Sequence, residues 1–287
     1  MNGERFLGRP GAVGISLRAT LVLTVAVVLG LAIFFWPLFV SPEPGVRAHS
    51  TDAPYVFLVT LPVLIAIVLA ELSSGGIDSK ALAMLGVLSA INAALRPLGA
   101  GTGGIETVFF LLVLAGRVFG PGFGFVLGST SLFVSALLTA GVGPWLPFQM
   151  LASSLLGLGA GLLPRRPRGK PEIAMLAVYG VFAAYFFGFA MNMWSWPFLV
   201  GTSTTGATTG LEFVPGAPLL ENLNRFVVFS LLTSTLGWDT GRAITNVVAI
   251  LLVGPAVLAT LRRASRRAAF DATASFEPPL SATRAKP

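Results

Sequence analysis

Cysteine is absent from the 287 residues and histidine occurs once, as His49. Disulfides, thiolate metal sites and cysteine nucleophiles are thereby excluded. The sequence carries no HExxH zinc pair, no GxSxG elbow, no Asp-x-x-Asp pair to hold magnesium and pyrophosphate, and no Walker-type phosphate loop. ATP is not hydrolysed by such a chain, so any energy input comes from a partner. Charge is scarce too: 11% of residues are Asp, Glu, Lys or Arg, against roughly 25% in soluble domains. His49 lies beside Pro42, Pro44 and Gly45, where a solvated loop histidine is expected.

What is abundant is apolar surface. Hydrophobic residues make up 54% of the chain, with 33 Gly and 20 Pro, and the mean hydropathy is +0.83. No single water-soluble core absorbs that excess, whereas packed membrane helices tolerate Gly and Pro. The apolar stretches are continuous and do not alternate with period two, which speaks against a β-barrel. The expected fold is an all-α polytopic membrane protein of about eight spans: Leu17–Val40, Tyr55–Leu72, Ala81–Leu95, Ile105–Gly116, Gly122–Ala140, Leu146–Leu163, Ile173–Leu199 and Thr240–Leu261. Ile105–Gly116 is short for a crossing, and suits a helix that tilts little or is half embedded.

The net charge of +7 is concentrated. Arg165, Arg166, Arg168 and Lys170 follow the sixth expected span, and Arg262, Arg263, Arg266 and Arg267 follow the eighth. Positive residues at span ends mark the cytoplasmic side, and both clusters fall inside with one parity, which puts both termini in the cytoplasm. Nucleic acid is not the expected partner of these clusters; the lipid bilayer is. Arg5, Arg9 and Arg18 precede or open the first span, which is too long for a signal-peptide core and is read as retained. Phe226–Leu236, ending at Gly237-Trp238-Asp239, is too short to span alone; it is an amphipathic helix on the outer face or the first half of a broken last helix. The segments are then 1–16, a cytoplasmic N-terminus; 17–79, a two-helix extension; 80–265, a six-helix core; and 266–287, a disordered cytoplasmic tail.

Ionisable groups inside spans cost several kcal/mol unless paired or facing a cavity, so the few present are informative. Asn92 and Arg96 are one turn apart on the third span, Glu106 opens the fourth and Arg117 closes it. Arg96 and Glu106 share the outer side, where they either pair or line a cavity. Arg117 and Glu71 lie near the inner face and are expected to snorkel. Trp145, Gln149, Asn192, Trp194, Trp196, Asn222, Asn224 and Trp238 gather on the outer side. They form either an interfacial belt or an outward pocket of flat apolar walls with a few amides. Gly86, Ala90 and Ala94 recur every four residues on one helical face, a surface another helix can approach closely.

The stretch Ala83–Pro164 carries Ala90-Ile-Asn-Ala-Ala-Leu-Arg96, Gly104-Ile-Glu-Thr-Val-Phe-Phe110, Gly116-Arg-Val-Phe-Gly-Pro-Gly-Phe-Gly-Phe-Val-Leu-Gly128 and Gly143-Pro-Trp-Leu-Pro-Phe-Gln149. In these it resembles the substrate-binding S component of energy-coupling factor (ECF) transporters, with the Phe-Gly-Pro-x-x-Gly-x-x-x-Gly pattern the most specific piece. The resemblance implies a six-helix core in a bacterial plasma membrane that binds a vitamin from outside. It implies a coupling membrane protein and two cytosolic ATPases as partners, no cofactor, and delivery by toppling of the whole subunit. It places the coupling protein on Gly86, Ala90 and Ala94. The substrate-binding residues expected are Arg96, Glu106, Trp145, Gln149, Asn192, Trp194, Asn224 and Trp238, and the Gly-Pro-Trp-x-Pro-Phe-Gln segment looks most like cobalamin-type members. Two other classes stay open on the residues alone: an intramembrane lipid-modifying enzyme using Glu106, Asp239 or Arg242, and an autonomous secondary transporter.

Overall fold

The computed structural model describes residues 17–39, 59, 63, 79–98, 104–198 and 210–268. The expected span Tyr55–Leu72, apart from two residues, lies outside them, as do His49, Glu71 and the tail past Ala268. The described residues form nine α-helices: α1 (Leu17–Phe39), α2 (Ser79–Leu95), α3 (Val108–Phe119), α4 (Pro121–Leu138), α5 (Leu146–Leu162), α6 (Lys170–Ser195), α7 (Leu219–Ser230), α8 (Thr240–Leu252) and α9 (Gly254–Ala268). Short 3₁₀ turns follow α2 and α6, and a π-helix, Leu231–Asp239, joins α7 to α8. No strand occurs among the described residues.

α4 and α6 are long and apolar enough to cross a bilayer. The helical run Leu219–Leu252 followed by α9 makes a third crossing if the two, bent by 65°, are one span. The helical run that holds the expected last span therefore begins well before Thr240. Phe226–Leu236 lies inside it, and the break comes at Val253–Gly254, where Pro255 follows. Proline supplies no backbone N–H and clashes with the preceding turn, which bends the helix there. α9 continues to Ala268, past the expected core boundary at 265.

The expected fourth span is a short helix sheltered by its neighbours. α3 has 12 residues, of which only Phe110 is not buried. At about 1.5 Å per residue it is far shorter than a bilayer core. A helix apolar on every side is stable where neighbours cover every side, and α4, α5, α6 and α9 all pack on it.

The tightest packing is among α3, α4 and α5, and glycines make it. A Cβ on Gly157 would overlap the carbonyl oxygen of Gly124, and a Cβ on Gly124 or Gly116 would overlap that of Gly157. Small residues let backbones touch, where dispersion between the helices is strongest. Gly120, with φ 107°, makes the turn from α3 into α4, and Pro121 opens α4 at a position where its missing N–H costs nothing. α1 is not a separate appendage: Leu23 and Phe34 belong to the main core, Phe34 meets Phe148 with ring centroids 5.7 Å apart, and Gly30 presses on Leu151.

Candidate ligand site at the end remote from the basic loops

A second small core caps the end of the bundle away from the arginine clusters. Met193, Trp196, Phe213, Phe226 and Phe229 build it. The Trp196 indole donates to the Leu211 carbonyl (2.8 Å). Asn222 accepts from the Val214 amide (3.0 Å) and donates to its carbonyl (2.9 Å). The sequence offered Trp196 and Asn222 as belt or pocket residues. The structure spends both on holding the 210–218 segment against α7, because buried polar groups here find backbone partners first.

Beneath the cap, side chains from three regions distant in sequence meet. The Arg242 guanidinium donates to Glu106 (2.5 Å) and to Asp239 (2.7 Å) and lies 5.2 Å from the Phe187 ring centroid. Asp239 is fully buried and accepts from the Ser234 hydroxyl at 2.5 Å. Gly188 makes this possible, since any Cβ there would overlap the Asp239 carboxylate. The π-helix contributes as well. Its wider turns rotate the start of α8, so that Asp239 and Arg242 turn inward toward α6 and the start of α3. Such wide turns are common at functional positions.

Of the two readings open for Arg96 and Glu106, pairing with each other or lining a cavity, the direct pair does not form. Glu106 takes Arg242, 136 residues away, and Arg96 donates to the Gln149 side-chain oxygen at 3.0 Å. Arg96 stays within electrostatic range of Glu106 and Arg242, so two guanidiniums and two carboxylates share the region. A cation takes whichever acceptor its backbone lets it reach. The turn at Arg96-Pro97-Leu98 aims Arg96 at α5, while Thr107 ties the start of α3 to the Leu95 carbonyl (2.7 Å).

Aromatic faces flank this cluster. Phe148 and Trp194 lie with centroids 4.8 Å apart, as do Phe109 and Phe187. The Asn192 side-chain nitrogen is buried with no partner among the described residues. Trp145 is exposed and donates to the Gly141 carbonyl (3.2 Å); Trp238 is exposed, and Asn224 is exposed on α7. Among the described residues none of these three side chains hydrogen-bonds a member of the Arg96–Gln149 or Glu106–Arg242–Asp239 groups. Gly86, Ala90 and Ala94 lie on an exposed face of α2 with Leu82, Val87 and Ile91, and a Cβ added at Gly86 meets nothing within 4 Å.

At the opposite end Arg117 does not snorkel. It is buried, donates to Glu172 (2.7 Å) and reaches the carbonyls of Leu163, Pro164 and Pro167. Arg262 forks onto the same carboxylate at 2.7 and 2.8 Å. Glu172 escaped the sequence reading, although a lone acid directly after a basic run and in the first turn of a helix is a visible cue.

A family model described as "ECF-type riboflavin transporter, S component" matches residues 76–240, more than half of the chain. The chain belongs to this family. No curated protein and no solved structure gives a significant match. As an ECF S component, the chain is a substrate-specificity subunit and not an enzyme. Such subunits work with a transmembrane coupling protein and ATPases and bind small vitamin ligands. The lipid-modifying enzyme and the autonomous transporter both fall with that membership. The matched span covers α2 to Thr240 and so includes Arg96, Glu106, Gln149, Asn192 and Asp239, while Arg242 lies just beyond it. The description names riboflavin, and nothing in the match supports the cobalamin expectation.

Proposed function

We propose that this S component captures a flat, uncharged vitamin of the riboflavin kind at the capped end of the bundle. On this reading the basic end faces the cytoplasm under the positive-inside rule, and the capped end faces outward. The observation that carries the proposal is the Arg96–Gln149 hydrogen bond together with the tilted Phe148–Trp194 ring pair. A fused heteroaromatic ring with an imide edge offers carbonyl oxygens to the guanidinium, an N–H to the amide oxygen, and a face to the indole. The orphan amide nitrogen of Asn192 supplies one more donor for a ligand rich in acceptors.

Titrating the purified full-length chain with riboflavin tests this. Flavin fluorescence should be quenched by stacking on Trp194, and the melting temperature should rise. Gln149→Ala or Arg96→Met should weaken binding by about 1–3 kcal/mol, the cost of a lost buried hydrogen bond. Stabilisation by cobalamin alone, with none by riboflavin, would replace the flavin by a corrin.

Transfer across the membrane then follows from the exposed stripe on α2. Gly86, Ala90 and Ala94 leave a shallow surface on which a coupling protein can slide as the subunit tilts. Ala90→Trp should leave riboflavin affinity unchanged and abolish co-purification with the coupling protein. Undiminished assembly would move the docking face elsewhere.

A further inference from the structure

The basic end holds a cleft of about 540 Å³ between the start of α6 and the bent α8–α9 pair, within the range of roughly 300–1,000 Å³ found for ligand sites. Its walls are apolar, from Ile173, Leu251, Leu258 and Ala259, and its polar rim carries Lys170 and Arg262. The 65° bend at Val253–Gly254 makes it. A straight continuation of α8 would carry α9 away from α6, whereas the bend returns α9 across the end of the bundle.

The electrostatics of this end are one-sided. Glu172 is the buried carboxylate lining the cleft, and Arg117 and Arg262 both bond it. Arg165 joins the cluster, donating to the Arg117 carbonyl at 3.3 Å. Burial, and after it the Arg117 charge, hold the Arg165 guanidinium below its ordinary value, with Glu172 acting in the opposite direction. With Lys170 at the rim, four cations surround one carboxylate. The excess positive charge sits where an apolar trough opens, and a ligand complementary to both has an anionic head and an apolar tail.

We propose that this cleft binds one anionic phospholipid, its phosphate between Lys170 and Arg262 and an acyl chain along Ile173, Leu251, Leu258 and Ala259. A bilayer offers that molecule at the depth where span ends carry cations. The position also separates it from the α2 stripe: α2 packs on α3 and α4, whereas the cleft is built by α6, α8 and α9. A bound lipid would brace the α8–α9 bend and the loop that leads into α6. The site does not depend on which vitamin the opposite end takes.

Native mass spectrometry of the delipidated full-length chain, offered equal phosphatidylglycerol and phosphatidylcholine of matched chain length, tests the site. Phosphatidylglycerol should be retained preferentially. Lys170→Gln should weaken its retention about fivefold, the worth of one cation at a membrane surface, and leave phosphatidylcholine unaffected. Because Arg262 also holds Glu172, a second variant avoids it: Ala259→Trp fills the trough with every charge in place and should abolish the preference. Arg168→Gln, an exposed cation not lining the cleft, should change nothing. Equal retention of the two lipids, or full phosphatidylglycerol retention in both Lys170→Gln and Ala259→Trp, overturns the proposal. So does displacement of the lipid by glycerol phosphate at equal concentration, which would mean that the cleft takes a free anion. Loss of the coupling-protein complex in Ala259→Trp with lipid retention intact would likewise overturn it, assigning the cleft to a protein.

Discussion

Gly157→Leu is expected to leave no folded protein in detergent extracts, and Gly157→Ala to lose about 3 kcal/mol of stability, the upper part of the range for overpacking a well-filled core. The added Cβ would not meet a side chain that can swing aside. It would meet the backbone carbonyl of Gly124, with the Leu112 side chain next nearest at 2.9 Å. Only separation of α4 from α5 relieves that overlap, and separation also opens the Gly128–Ser153 and Gly161–Pro121 approaches along the same seam. Gly124→Ala should cost a similar amount, and the double variant less than the sum, because one displacement serves both sites. Thermal melts of the purified variants check this. Gly86→Ala, whose Cβ meets open space, should not lower the melting temperature. A Gly157→Ala melt as high as the parent's would mean that the two backbones do not touch.

The same seam shows what the sequence makes legible. Gly120, Gly122, Gly124 and Gly128 read as a tight turn and a close-packed helix start, and the apolar runs place α2, α4, α5 and α6 within a few residues of their observed bounds; Gly157, which meets Gly124 across the seam, carries no such cue. Composition, however, cannot tell a span from a core helix. Ile105–Gly116 is as apolar as its neighbours, and only its shortness hints that α3 is sheltered by protein on every side. Asp239 and Arg242 are named from the sequence without being paired, although i,i+3 neighbours on a helix can meet, as these do. Glu106 is left by the sequence either to pair with Arg96 or to line a cavity, and its partner comes from another helix; Arg117 is expected to snorkel, and its partner Glu172 lies 55 residues on. The π-helix had no cue at all. Leu231–Asp239 carries no distinctive periodicity, and Gly237-Trp238-Asp239 reads as a break, yet the chain stays helical through it. The tryptophans were legible as a set and not as individuals: Trp196 is core, Trp194 meets Phe148 at a tilt, and Trp145 and Trp238 are exposed.

The other large effect is expected at the basic end, where Glu172→Gln should cost about 3–5 kcal/mol, the range for removing one partner of a buried ion pair. Arg117 is the reason. Its side chain is 3% exposed, so the charge left behind cannot be hydrated, and the carbonyls of Leu163, Pro164 and Pro167 supply dipoles but no countercharge. Arg262, 40% exposed, can recover water when its carboxylate is gone, so Arg262→Gln should be much milder than Glu172→Gln. Arg117→Met should be severe for a further reason, since it strands three loop carbonyls that tie α5 to α6. The double variant Arg117→Met/Glu172→Gln should lose much less than the two single losses combined, because each single change leaves the other group's charge or dipoles unmatched. Exposed ion pairs fade with added salt and buried ones do not, so the ordering should survive at high ionic strength. Strict additivity of Arg117→Met and Glu172→Gln, or a Glu172→Gln loss abolished by salt, would place both groups in water and return Arg117 to the interface.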